Sequence, residues 1–149
     1  MSAIVRLVAL VGVACLPALA EAEEPPDLTG AWVTLTGEVS HWEGGLYDQS
    51  GTTGTLIVEE QFRGVFRGTM TWANDIDGPE FQGAAGIQHL QSENVVGAIG
   101  FDNETVYWAD HEDETTYRAR LVNRDTMEVI ALEAGPFAVA TRTIMIRQD

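Results

Sequence analysis

Apolar and polar positions alternate with period two along most of the chain beyond residue 28, and no segment there carries the 3.6-residue period of a helix. Phe66, Gly68, Met70 and Trp72 alternate with Arg67, Thr69 and Thr71. Val95, Gly97, Ile99 and Phe101 do the same, followed across an Asp102-Asn103 turn by Val106 and Trp108. Tyr117, Ala119 and Leu121 alternate with Arg118 and Arg120. The pattern predicts strands near 29–37, 53–60, 64–73, 81–90, 94–101, 105–110, 115–122, 126–133 and 137–147. Turn-forming residues separate them, notably Asn74-Asp75-Ile76-Asp77-Gly78-Pro79, Asp102-Asn103 and Asn123-Arg124-Asp125. Slipping any strand by one residue would turn its apolar set to the wrong face, so the registers are expected to be well fixed. Short strands with hairpin-length connections predict an all-β fold, a single up-and-down antiparallel barrel of about eight strands rather than a Greek-key sandwich, because closure removes exposed edges. Gly68, Gly83, Gly86, Gly97 and Gly100 fall where such a barrel needs bends or close backbone approach.

The first residues read differently. Arg6 is followed by an apolar run from Leu7 to Leu16 and then by Pro17-Ala18-Leu19-Ala20, a small-x-small cleavage pattern. Residues 1–20 are therefore expected to be a secretory signal peptide, with Ala20-Glu21-Ala22 offering a second cleavage site after residue 22. Residues 21–27, with Pro25-Pro26, read as an extended linker, and 28–149 as the barrel domain. The expected address is periplasmic or secreted, in a bacterium. The only cysteine, Cys15, lies inside the leader, so a processed chain has no thiol to form a disulfide. The alternative is a lipoprotein anchored through Cys15, since Gly12-Val13-Ala14-Cys15 resembles a lipobox with Gly in place of the usual Leu. No later stretch approaches the roughly 20 apolar residues of a transmembrane helix.

Length and charge narrow the function classes. A chain of 149 residues makes one domain able to bury a core unaided. The net charge of -15 comes from 23 acidic residues against 8 basic ones, all arginine. Phosphate neutralisation on nucleic acid and docking on anionic membranes are excluded on that balance. The absence of lysine fits a GC-rich or salt-adapted host and says nothing about chemistry.

Leu28-Thr29-Gly30-Ala31-Trp32 resembles the Gly-x-Trp that opens the first strand of lipocalins and avidin-like proteins, the calycin group. In those barrels the Trp closes one end, and in lipocalins an Arg from near the last strand packs over it. The resemblance implies that role for Trp32 with Arg142 or Arg147, a cation–π contact of about 1 kcal/mol. The lipocalin Thr-Asp-Tyr signature is absent, and the biotin-contacting residues of avidin do not map onto this chain. The region is also similar to small secreted proteobacterial barrels of unknown function, through Gly64-Val65-Phe66-Arg67-Gly68 and Asp125-Thr126-Met127-Glu128.

Chemistry-bearing motifs are few. His41, His89 and His111 lack the i, i+2 or i, i+4 spacing of a preformed metal site. Asp110-His111-Glu112-Asp113-Glu114 reads as a solvated hairpin tip, with Ca²⁺ binding the competing reading. Asn74-Asp75-Ile76-Asp77-Gly78 reads as a turn, since it lacks the bidentate Glu and flanking helices of an EF-hand. No Gly-x-Ser-x-Gly, His-Glu-x-x-His or phosphate-cradling loop occurs, so no catalytic residue, metal or cofactor is expected. The aromatic set is richer: Trp32, Trp72, Trp108 and Tyr117, joined by His89 and Arg142, are the candidate ligand-binding residues. They favour a barrel holding a small apolar or aromatic molecule. The alternatives are a protein-binding module acting through acidic loops at 74–80 and 110–114, and a cyclase or isomerase on the same barrel. Oligomeric state is not legible.

Overall fold

Alternating residues become antiparallel strands wherever the chain is described. A computed structural model describes residues 23–41, 45–50, 54–74, 89–111, 114–136 and 138–148. The strands are β1 (Gly30–His41), β2 (Gly45–Ser50), β3 (Gly54–Phe62), β4 (Val65–Asn74), β5 (His89–Ile99), β6 (Thr105–Asp110), β7 (Thr115–Asn123), β8 (Thr126–Glu133) and β9 (Val139–Gln148). Consecutive strands from β3 to β9 are hydrogen-bonded neighbours, and β9 returns to pair with β1 from Ala31–Gln148 to His41–Val139. The other edge of β1 is taken by β3 along Gly30–Val33 and by β2 along Thr36–His41. β2 and β3 thus follow one another as a single interrupted strand, and the ring is a closed eight-stranded antiparallel barrel. That is the expected architecture, and it is consistent with a calycin-like fold.

Two elements differ from the alternation reading. β2 was not expected, because Gly45-Leu46-Tyr47-Asp48-Gln49-Ser50 has neither an apolar row nor β-branched residues. The break expected between strands at 81–90 and 94–101 does not exist: β5 runs unbroken through Gln91-Ser92-Glu93. The rest of that expected strand, 81–88, lies outside the described residues, as do residues 1–22, which include the expected leader at 1–20, and most of the turn at 74–80.

β1, at Gly30, and β9, at Gln148, meet at one end of the barrel, with the β3–β4 and β7–β8 turns. The inward rows there are apolar: Leu28, Trp32, Leu56, Val58, Phe66, Ile99, Val106, Met127, Val129 and Met145 form one buried cluster that continues along the barrel through Met70, Val95, Trp108 and Ala119. Toward the opposite end the same rows turn polar. Thr34, Glu93 and Thr115 are the buried polar side chains among the described residues. Extra residues at Leu35 in β1, Glu59 in β3 and Val122 in β7 bulge the strands and increase their coil, which helps a small sheet close.

The β5–β6 turn shows how one side chain sets a hairpin. Asn103 adopts φ 57°, which Asn tolerates, and Asp102 accepts from the Thr105 hydroxyl at 2.6 Å and from the backbone N–H groups of Thr105 and Glu104 at 2.9 and 3.1 Å. The Thr105 hydroxyl bond and then the backbone bonds hold the Asp102 carboxyl down at about 2, against an ordinary 3.8. A depressed folded-state value means stabilisation present above pH 3.8 and lost as pH falls through about 2. Asp102→Asn should therefore be less stable than the parent at pH 5, with the gap narrowing toward pH 2. A gap that stays constant in denaturant titrations across that window would remove the carboxylate from this account.

Candidate functional site

The closed end is a plug. Residues 23–29 cross it without regular structure and are tied down by side chains of the barrel. Gln61 accepts from Leu28 N–H at 2.8 Å through Oε1, and its amide donates to the Pro26 carbonyl at 2.8 Å. Arg147 donates to the carbonyls of Thr29 and Asp27, both at 2.6 Å. Trp32, 0% exposed, donates its indole N–H to the Leu28 carbonyl at 2.9 Å, and the Arg147 guanidinium stands 4.5 Å from the centroid of its ring. Arg147 Nε lies 3.5 Å from Asp125, an ion-pair distance without hydrogen-bond geometry. Of the two arginines that the resemblance offered, Arg147 covers the Trp. Arg142 is on the outer face with its side chain 74% exposed, 3.6 Å from Glu38. β9 alternates, so 147 shares the inward row of Met145 whereas 142 is on the opposite row.

In the open half, Trp108 and Tyr117 meet on the inward side, whereas Trp72, opposite Gln91 on β5, is three inward rows from the Gly97 that pairs with Trp108. Pairing registers set one row across four strands: Ala131, Tyr117, Trp108 and Gly97 are successive partners. Within it the rings of Trp108 and Tyr117 stack, centroids 5.0 Å apart and planes 6° from parallel. Trp108 is only 3% exposed, and its indole N–H has no acceptor among the described residues. Trp72 and Tyr117 are partly buried against the same cluster.

One row nearer the open end, two residues on along each strand, stand Asp110, Thr115 and Glu133. Glu93, 8% exposed, belongs to the inward row of Val95, Gly97 and Ile99. Asp110 accepts weakly from the Thr115 N–H at 3.3 Å and the Tyr117 hydroxyl at 3.5 Å. None of the three was a candidate for the small-molecule site from sequence: Asp110 reads as part of the acidic stretch at 110–114, Glu93 falls between two expected strands, and Glu133 ends an expected strand. Burial first, then the charges of Asp110, Glu93 and Glu133, push the Tyr117 phenol well above the ordinary tyrosine value. Of the three, Asp110 is in hydrogen-bond contact with that hydroxyl.

A raised phenol favours the protonated folded state, so its contribution is full below pH 10 and lost as pH rises through the folded-state value. Absorbance at 295 nm should show Tyr117 ionising only at the alkaline extreme or on unfolding. The difference titration between parent and Tyr117→Phe checks this, and a missing equivalent near pH 10 would contradict it.

Trp32 is separate from the open-half group, and so is Arg142. His89 is on β5 opposite Asn74, but its side chain lies outside the described residues. Residues 112 and 113 of the acidic stretch are also outside them. Among the described residues no three His, Cys, Asp or Glu side chains are grouped closely enough to hold a metal ion, and no helix is long and apolar enough to cross a membrane. No family model, curated protein or solved structure matches the chain.

Proposed function

We propose that the protein is an exported barrel that holds a small molecule with a flat aromatic or apolar body in its open half, against Trp108 and Tyr117. The observation that carries this reading is the Trp108 indole N–H, buried with no acceptor among the described residues on a stacked aromatic pair. A buried indole N–H usually finds an acceptor, and leaving it without one costs about 1–3 kcal/mol. A bound molecule presenting a carbonyl or ring nitrogen would supply it. The change from an apolar to a polar interior along the barrel axis supports the same reading, since ligand sites combine apolar walls with a few placed polar groups. The leader supports export.

Native mass spectrometry of the protein isolated from its own cells, before and after denaturation, tests this. A stoichiometric small-molecule adduct released on unfolding is the expected result. Bare protein mass in both states, with no heat of binding for quinoline, a flat aromatic with a ring-nitrogen acceptor, up to millimolar concentration, would overturn the reading.

A second reading, a protein partner, is favoured by a separate feature. On the outer face a groove of about 580 Å³ lies between the β1–β2 hairpin and β8–β9, bordered by Leu46, Ile130, Ala140 and the charged Glu38, Asp48 and Arg142. Leu46 is 83% exposed there. Leu46→Ser should abolish association with such a partner and leave quinoline binding unchanged.

A further inference from the structure

We infer that two copies of the chain associate through the outer face of β8, β9, β1 and β2; this rests on the protein-partner reading above and names the partner. The pairing registers set two outward rows across these strands. One runs Leu132, Ala140, Ser40, Leu46, and the next, toward the closed end, runs Ile130, Arg142, Glu38, Asp48, with Arg118 of β7 beside Ile130. Both leucines stand out from the wall, 54% and 83% exposed.

The two rows are self-complementary about the boundary between β9 and β1. The first is symmetric in size: large, small, small, large. The second is antisymmetric in charge, with arginines on β7 and β9 and acids on β1 and β2. A two-fold axis lying along that boundary turns each side onto the other. Leu132 of one copy then meets Leu46 of the other, and Arg142 meets the other copy's Glu38, with its Asp48 one strand spacing, about 4.8 Å, further on. Barrel walls are convex and touch first along such an axis, where Ala140 and Ser40 are small, while the leucines fill the widening gap on either side. The same spacing gives the groove bordered by Leu46 and Ile130, with Ser40 and Ala140 between them.

Charge favours a second copy over a foreign partner. A basic protein drawn by the net charge of -15 would meet Arg118 and Arg142 on this face. The face itself is balanced, two arginines against Glu38 and Asp48, so a second copy matches it. Within one chain Arg142 and Glu38 are 3.6 Å apart with side chains 74% and 68% exposed, a pair that contributes little in water. Between two copies the arginines and carboxylates interleave, and salt screens acids elsewhere on the barrel beyond about 8 Å.

Sedimentation equilibrium of the protein isolated from its own cells, in about 150 mM salt, should show the average mass rising from one chain toward two between about 1 μM and about 1 mM, as suits a small interface. Arg142→Glu and Glu38→Arg should each raise the dissociation constant at least about tenfold, because like charges then face one another across the axis. An equimolar mixture of these two variants should recover the dimer, since each now meets its opposite in the other chain. That recovery separates a contact between copies from a loss of folding, which mixing does not repair. Leu132→Ser should weaken the dimer as Leu46→Ser does, whereas Val96→Ser, 68% exposed on β5 outside this face, should change nothing. A dimer that survives both charge reversals and Leu132→Ser would lie on another face and overturn the inference. A monomer at every concentration would overturn it too, and a photoreactive residue at exposed Thr116, beside Leu132 on the rim of the face, would then be used in the protein's own cells. A crosslink to a chain of different mass would overturn the inference and keep the protein-partner reading; no crosslink of any mass would overturn both.

Discussion

Trp32→Ala should cost about 4 kcal/mol of stability, a large share of the roughly 5–15 kcal/mol typical of a domain. Three losses combine at this residue. A fully buried indole leaves a cavity whose walls are held by strand pairing on both sides, β3 at Leu56 and β9 at Arg147, so collapse around it is limited. The Leu28 carbonyl loses its donor. Arg147, with a side chain only 18% exposed, loses the ring that faces its guanidinium at 4.5 Å. Trp32→Phe separates these, because it keeps an aromatic face for Arg147 and removes the N–H; about 1–2 kcal/mol is expected from it. A double-mutant cycle with Arg147→Met should return a coupling near 1 kcal/mol for the Trp and about zero for a control cycle with Arg142→Met. Urea denaturation provides the measurement. A Trp32→Ala variant within about 1 kcal/mol of the parent would show that the plug is not structural.

The plug was legible only in part. The resemblance of Gly30-x-Trp32 to the calycin opening implied an arginine over the Trp and left Arg142 and Arg147 open, which strand parity decides once the register is known, whereas residues 21–27 read as a linker. Strands β3, β4 and β6 to β9 were legible because their inward rows are apolar and their outward rows polar, so period two reports the fold directly. Legibility fails where the interior stops being apolar. β5 carries Glu93 inward after Gln91 and Ser92, so a continuous strand reads as a strand, a polar gap and a second strand. Asp110 and Glu133 end their strands at the same level, as expected from sequence, but an acid at a strand end gives no sign of pointing inward. β2 is hidden by the opposite fault, with Leu46 on the solvent side. The polar open half is thus the feature that erases the pattern by which its residues would be found. Aromatic content pointed to Trp72, Trp108 and Tyr117, yet only three-dimensional register stacks the last two and sets Asp110 beside Tyr117.

Gly68→Ala should destabilise the barrel by about 3 kcal/mol, because the added methyl has nowhere to go. Gly68 is on the inward row of β4 between Phe66 and Met70, paired with Val58 just before the Glu59 bulge, where β3 coils across it. A Cβ there would collide with the Ile57 carbonyl oxygen and come within 2.9 Å of its carbon and 3.1 Å of Val58 Cα. These are backbone atoms, so no rotamer change relieves the contact, and the strands must separate where the barrel wall is most curved. Gly97 illustrates the cheaper case: its Cβ would strike the Phe66 ring that lies over it, a side chain with some freedom to tilt. Gly64→Ala is the matched control, since the nearest atoms to its Cβ are 3.7 and 3.8 Å away and the turn accommodates a methyl; a change of a few tenths of a kcal/mol is expected. The order Gly68 far above Gly97, with Gly64 near zero, should appear in urea midpoints. If Gly68→Ala unfolds at the same midpoint as Gly64→Ala, the close approach of β3 and β4 at the bulge is not a constraint on this barrel. The strand-level reason for glycine at position 68 would then fail with it.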